Sequence, residues 1–398
     1  MKILYLTTVL PSKKQTGGEI ASQTFIEALE RDNHEVTVVG YQRQELGTVK
    51  TNEITVDARN IETHKSYFAA IVWMGNSLLK NLPYSATKYY SKKYNKIVTS
   101  LLKKYNYDTI IIDHAQIGWI TNLLTRNQIS KNSKIIFIAH NVEHQLYLAQ
   151  YRSAKSQLSK YIYLREAHLI KAIENKLASS AHQVWTLTQS DSKYFYKFNQ
   201  HSIVFDLPAS KTPSNKALKH QIFAKFDIGI IGSWTWKANL SGLKWFFQSV
   251  YPCLPKHLSI HVAGLGAEWL QGEYANVEYC GFVPDVQAFM AQAKVIAIPS
   301  ITGGGVQIKT LDAIASGLPI VATPVALRGI FDYPSLIKVA EQPDEFAYTL
   351  VDLLGSNLGE DTCSKLIDER LQWLKSRQEQ FLTNVTGAIN NLSVTFTK

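Results

Sequence analysis

Short apolar runs recur along this chain without the in-out alternation of a half-exposed strand, and each leads into a turn and a helix-patterned stretch. In the first half they are "KILYLT", "HEVTVVGY", "YDTIIIDHA", "SKIIFIAHN" and "QVWTLT". After a Pro-, Ser- and Lys-rich interval the series restarts with "DIGIIGS", "LSIHVAGLG", "VEYCGFV" and "KVIAIPS". Strands covered by helices on both faces of a parallel sheet read this way. The alternation predicts two doubly wound, Rossmann-like α/β domains facing a cleft, with ligands at the carboxyl ends of the strands. A chain of 398 residues, 45% hydrophobic, is long enough to bury two cores. The expected division is 1–205 for an N-terminal acceptor-side domain, 206–222 for a linker and 223–375 for a C-terminal nucleotide-binding domain. Residues 376–398 are expected to form a helix that packs back toward the N-terminal domain.

Several classes are disfavoured. The opening "MKILYLTTVLPSKK" has branched residues and an early proline but no small-residue cleavage site, so it reads as a buried strand rather than a leader. The cysteines, Cys253, Cys280 and Cys363, are widely spaced and form no CxxC pair, which suits a reducing, cytoplasmic setting better than a disulfide framework or a zinc site. No apolar run approaches the ~18 residues of a membrane span. "GLGAEWL" lacks the third glycine of a dinucleotide fingerprint, which argues against a dehydrogenase.

The net charge of +10 is unevenly placed. From residue 63 to 107 there is no acidic residue, while Lys65, Lys80, Lys88, Lys92, Lys93, Lys96, Lys103 and Lys104 all fall there among aromatic and aliphatic side chains. Such a stretch suits an anionic bilayer surface; ordinary helices with solvated lysines are the alternative. No nucleic-acid motif accompanies the charge, so nucleic acid is not an expected partner.

The most informative motif is "IPSITGGGVQIKTLDAIASGLPIVATP". Glycines ahead of a helix let backbone amides approach an anion, and the helix start adds about half a positive charge. Gly303, Gly304 and Gly305 are therefore a candidate diphosphate cradle. Lys309 and Asp312 share one helix face, suited to phosphate and to ribose hydroxyls, with Ile308, Leu311 and Ala315 facing the core. The alternative is a tight turn followed by a surface lysine. Gly17 and Gly18 follow the first strand and would let the chain pass close to phosphates, or would simply make a turn. His140 ends a strand, where a histidine is often only a structural hydrogen bonder. Asp113 and His114 end the preceding strand. Lys237 and Arg328 lie at strand ends where contact with phosphate and plain solvation are both open.

In family order and at family spacing, "IGSWTWKANLSGLKWFF", "IHVAGLG", "VEYCGFVPDVQAFMAQAKVIAIPS" and "GGGVQIKTLDAIASGLPIVATPVALRGI" resemble the retaining, nucleotide-sugar-dependent glycosyltransferases of the GT-B fold, family 4 (glycosyl transferases group 1). "TGGEIASQTFIEAL" and "AHNVEH" agree in the first half. The resemblance implies a hexosyltransferase-type enzyme that moves a sugar from a nucleotide-diphosphate donor to an acceptor, a lipid-linked or surface glycan. It implies no cofactor and no metal, in keeping with the lack of an Asp-x-Asp cluster, and it places His140 beside the transferred sugar as the catalytic residue. Gly17, Gly18, Gly303–Gly305, Lys309, Asp312 and Lys237 would bind the donor, and Asp113 and His114 the acceptor. Glu174 resembles a helix carboxylate of structural role. Family members often carry two glutamates eight positions apart. Here Gly304 stands at the first position and Asp312 at the second, so the contact of the first with the donor sugar has no assigned residue. A non-catalytic sugar-nucleotide or glycan-binding relative and a sugar-nucleotide epimerase of the same fold are the alternatives. The expected location is cytoplasmic, peripheral at the inner face of the membrane.

Overall fold

The computed structural model describes residues 1–14, 16–43, 49–59, 67–126, 133–210, 224–356 and 360–394. Two compact units emerge: Met1–Phe205 with Leu382–Lys398, and Asp206–Phe381. Most of the expected linker, from 211 to 222, lies outside the described residues.

In the first unit the chain runs β1 (Lys2–Val9), α1 (Gly17–Arg31), β2 (Glu35–Gln42), β3 (Glu53–Ala58), α2 (Tyr67–Lys80), α3 (Tyr84–Thr87), α4 (Lys92–Lys104), β4 (Thr109–Asp113) and α5 (Thr121–Arg126). It continues through β5 (Lys134–Ala139), α6 (Glu143–Ser153), α7 (Gln157–Ser180), β6 (Gln183–Thr186), α8 (Gln189–Phe195) and β7 (Ser202–Val204). The seven strands form one parallel sheet in the order β3-β2-β1-β4-β5-β6-β7. β1 sits where the order reverses, and its residues 3–6 are wholly buried, as the absence of alternation predicts. The helical stretch after β5 is two helices, separated where Ala154 turns extended and Ser156 caps α7.

The second unit contains β8 (Phe226–Ile231), α9 (Lys237–Trp245), β9 (Ile260–Ala263), β10 (Val277–Gly281), α10 (Val286–Met290), β11 (Ala293–Ile298), α11 (Ile308–Ser316), β12 (Ile320–Ala322), β13 (Ile337–Val339) and α12 (Pro343–Gly355). Helix α13 (Glu360–Val394) follows, its residues to Phe381 counted with this unit and those from Leu382 with the first. The sheet is again parallel, in the order β10-β9-β8-β11-β12-β13. The order reverses between β8 and β11, so the loops that leave these strands flank a switch point, the usual ligand position of such sheets.

Helix α11 departs from the expected two-faced pattern. Thr310, Asp312 and Ala313 are buried together with Ile308, Leu311 and Ala315, so the helix is enclosed nearly all round. Its far end is closed by Gly317 at φ +80°, and buried Arg370 donates to the Ala315 carbonyl at 2.8 Å. A cation on the last carbonyls of a helix satisfies acceptors that the helix cannot.

This closure is testable with two glycines of similar backbone. At Gly317 a Cβ would lie 2.5 Å from Arg370 Nη1, whereas at Gly272, φ +75°, nothing lies within 4 Å. Gly272→Ala should cost about 1 kcal/mol, the backbone term alone. Gly317→Ala should cost about 2 kcal/mol or more, because the guanidinium is also displaced from its carbonyl. Urea denaturation distinguishes the two, and equal losses would contradict the packing role of Arg370.

Candidate functional site

In the first unit the polar groups gather at the carboxyl ends of β1, β4 and β5. Asp113, the last residue of β4, has 0% exposure. Its Oδ2 accepts from Ser22 Oγ at 2.6 Å and Thr7 Oγ1 at 3.0 Å, and its Oδ1 lies 2.7 Å from His140 Nε2. Burial pushes the Asp113 carboxyl upward, but the His114 and His140 charges and the hydrogen bonds from His140 and Ser22 outweigh it and hold the group well below the carboxylate range. An ionised Asp113 requires the proton of that bond on His140 Nε2, which fixes the ring orientation.

His114 stacks on His140, ring centroids 3.9 Å apart and 26° from parallel. Its backbone takes φ 79°, ψ 137°, a conformation that costs a non-glycine residue on the order of 1–3 kcal/mol and tends to mark functional positions. Burial, then the His140 charge, lowers its pKa to about 4, so this ring is neutral at pH 7. Gly17 and Gly18 are the first two residues of α1 rather than a loop. Thr16 caps the helix by accepting from Glu19 N, and a Cβ on Gly18 would meet the His114 ring at 3.5 Å, ordinary contact.

Helix α6 begins beside this group. Glu174 is wholly buried and accepts from the Glu143 amide at 2.5 Å and from His144 Nδ1 at 2.8 Å, so its carboxylate ties α7 to the start of α6. Burial, then the Glu174 charge, pushes the Glu143 carboxyl up to about 7.

In the second unit the site is built where β8 and β11 end. Gly303 and Gly305 take φ +137° and +63°, so the conformational need for glycine lies at these two rather than at Gly304. Arg328 donates to the carbonyls of both, with Nε 3.0 Å from Gly305 O. This arginine shapes the loop from behind, a role the sequence left open. The helix proper starts at Ile308, its cap Gln307 making no side-chain cap bond while its carbonyl accepts from Thr310 N at 3.0 Å, so the helix offers no partner only to the amides of Ile308 and Lys309.

Lys309 lies in the first turn of α11. Its Nζ is 3.2 Å from Asn239 Oδ1 and 5.7 Å from the centre of the Trp234 ring. Both neighbours come from the β8–α9 segment, so the lysine joins the two arms of the switch point. Burial lowers its pKa to about 8. The β8–α9 turn is packed tightly: a Cβ on Gly264 would fall 1.7 Å from the Gly232 carbonyl, which explains the glycine of "AGLG". Asp312, one turn along α11, accepts from Ser210 Oγ at 2.5 Å. Lys237 opens α9 and is exposed.

The structure therefore gathers Asp113, His114, His140 and Gly18 in one unit, and Gly303–Gly305, Lys309 and Asp312 in the other. Sequence reasoning missed Thr7, Ser22, Glu143, Trp234 and Asn239. The last two sit in the quoted "GSWTWKANL", where an asparagine two residues into a helix signals a polar contact but not its partner. Ligand atoms of Asp113, His114 and His140 lie within 4.8 Å of one another, as do those of His261, Glu278 and Cys280; in the first trio the histidine and the carboxylate already satisfy one another.

The neutral, buried state of His114 gives a pH signature. Its folded pKa lies below the ordinary 6.5, so protonation favours the unfolded chain, and its contribution to stability is lost as the pH falls from 6.5 toward about 4. Relative to His114→Phe, the wild type should lose on the order of 2 kcal/mol between pH 7 and pH 4.5. Urea midpoints across this range measure it, and a wild-type-to-variant gap independent of pH would contradict the assignment.

Comparison with known proteins gives this geometry a family context. Residues 225–356 match the family model described as Glycosyl transferases group 1. The chain is 21% identical over 348 residues to an uncharacterized 44.6 kDa protein in the cps region of Klebsiella pneumoniae, covering 82% of this chain and 84% of that protein. It is similar in structure to sucrose-phosphate synthase from Thermosynechococcus elongatus, with a TM-score of 0.69 and 12% identity over 99% of this chain and 100% of that one. It is also similar to HepE of Anabaena in complex with UDP and glucose, with a TM-score of 0.60 and 14% identity over 98% and 99%. Residues 225–356 of the second unit thus match a Glycosyl transferases group 1 domain, and the chain's two parallel sheets, one in each unit, are those of the GT-B fold.

Proposed function

We propose that the protein is a retaining glycosyltransferase that moves a hexose from a nucleoside-diphosphate donor to a lipid-linked or surface glycan. The observation that carries this reading is Lys309, held between Trp234 and Asn239 in the first turn of α11 at the switch point of the second sheet. A half-buried cation beside the first amides of a helix and a positive-φ glycine loop is the equipment a diphosphate requires. That HepE was solved with UDP and glucose supports a nucleotide sugar as donor.

In the proposed step the bond from the sugar C1 to the diphosphate oxygen breaks while the acceptor oxygen bonds to C1 on the same face. The acceptor proton passes to a diphosphate oxygen. The charge that grows on the diphosphate is met by the α11 amides and Lys309, with Asp312 on the donor ribose and Lys237 as a further phosphate contact. Asp113 fixes His140 beside the transferred sugar, and the neutral His114 ring faces the acceptor. The role of a first glutamate is not taken by Gly304, which has no side chain. Neither binding without transfer nor epimerisation is favoured by any feature of the two half-sites. The lysines of residues 63–107 would draw the protein to an anionic membrane face in the cytoplasm, where such acceptors are presented.

The Lys309 pKa supplies the test. Below pH 8 the ammonium is charged and meets the diphosphate; above it the free protein holds a neutral amine. Affinity for a nucleoside diphosphate should fall between pH 7 and 9, approaching tenfold per unit at the upper end, with proton uptake on binding. Lys309→Met should bind more weakly, by roughly 1.5–3 kcal/mol, and without the pH step. Isothermal titration in buffers of different ionisation enthalpy reads both. Wild-type affinity that is flat across this range would remove Lys309 from the phosphate site.

A further inference from the structure

Helix α2 is turned the wrong way round for a protein in water. Its inward side is polar-bonded: Ser77, wholly buried, donates to the Leu82 carbonyl at 2.7 Å, and Arg165 of α7 donates to Ser77 Oγ and O at 3.0 and 2.9 Å. Trp73, also on this side, is 7% exposed, and its carbonyl accepts from Thr87. The outward side carries Phe68, Ile71, Val72, Met74, Leu78 and Leu79, all exposed, with Phe68 at 81% and Leu79 at 87%. Positions 68, 71, 72, 75, 78 and 79 lie on one helical face, with Gly75 at its centre.

Helix α7 also carries exposed apolar side chains. Leu158, Tyr161 and Ile162 are exposed, and Leu158, Ile162 and Arg165 follow one another at four- and three-residue spacing, so the stripe leads to the arginine that grips α2. An exposed apolar face such as that of α2 marks an interaction site. Its charge setting identifies the partner. Neither the segment from 63 to 107 nor that from 144 to 165 contains an aspartate or glutamate, and Lys80, Arg152 and Lys155 are exposed at the helix ends. An apolar face on segments whose charged residues are cations complements a bilayer with anionic headgroups.

We propose that the outward face of α2, extended by Leu158, Tyr161 and Ile162 of α7, inserts into the acyl boundary of an anionic membrane. This deepens the reading of residues 63–107 from electrostatic attraction to insertion, and it does not depend on the donor chemistry of the second unit. Attraction by lysines alone would need no exposed leucines, whereas insertion accounts for both the apolar face and its rim.

The test uses the full chain and vesicles of phosphatidylcholine with or without phosphatidylglycerol, read by flotation. Wild type should float with the anionic vesicles and remain partly bound through a high-salt wash. A Phe68→Ser, Leu79→Ser double variant should bind at least tenfold more weakly at unchanged thermal midpoint, because both side chains are exposed. Complete release by salt, or equal binding by the variant, would reduce the contact to lysine attraction and overturn insertion while leaving that attraction intact. No vesicle binding by wild type overturns both. Concentration-dependent dimerisation that the double variant abolishes, without vesicle binding, would assign the face to a second copy of the chain instead.

Discussion

A strand buried on both faces of a parallel sheet can carry polar chemistry only where it ends. That constraint organises both units. Along β1, β4 and β5 the interior is apolar, and the polar side chains that bear on function, Thr7, Asp113 and His140, come at or next to the carboxyl ends. In the second unit the charged residues of β8 and β11, Asp227 and Lys294, lie at the amino ends and pair with each other at 2.8 Å, while the segments that follow the carboxyl ends hold Trp234, Asn239 and the glycines. The two polar clusters are therefore consequences of topology. The strand order decides where they form, and the residues at those ends decide what they can do.

Within each cluster one charged group shielded from water sets the geometry, with different consequences. Asp113 is answered by two hydroxyls and an imidazole, so its charge is settled and its effect is to orient His140. Lys309 has an asparagine oxygen and an aromatic face, neither of which neutralises it. A cation desolvated without a counter-charge loses part of its hold on its proton. The Asp113 group is thus satisfied from within, while Lys309 is left un-neutralised by its two neighbours. Arg328 contributes differently again: by bonding the carbonyls of Gly303 and Gly305 it keeps those oxygens turned toward itself.

Much of the fold was legible because continuous apolar runs and their glycine turns are local signals. The parallel sheets, the buried first strand and the placement of His140, Lys309 and Asp312 at or just after strand ends all follow from them. Short edge strands such as β3 and β7 were not marked, since six and three residues of mixed polarity carry little pattern. The enclosure of α11 was misjudged: buried Thr310 and Asp312 look like a solvent face until the elements around them are known. Thr7 and Ser22 were invisible as site residues, because a hydroxyl at a strand end or in a helix declares no partner, and Asp113 is 106 and 91 residues away from them. The outward face of α2 was present in the sequence as leucines among lysines, but the lysines drew the reading. Only the burial of Ser77 and Trp73 shows which side faces the protein.

The central claim is that the first turn of α11, with Lys309, holds the diphosphate of the donor. Diffraction from crystals soaked with a nucleoside diphosphate tests it directly. The account predicts the diphosphate within hydrogen-bonding distance of Lys309 Nζ and of amides at the α11 start, with the ribose toward Asp312. A nucleotide bound elsewhere, or one whose phosphates point away from Lys309, would contradict it.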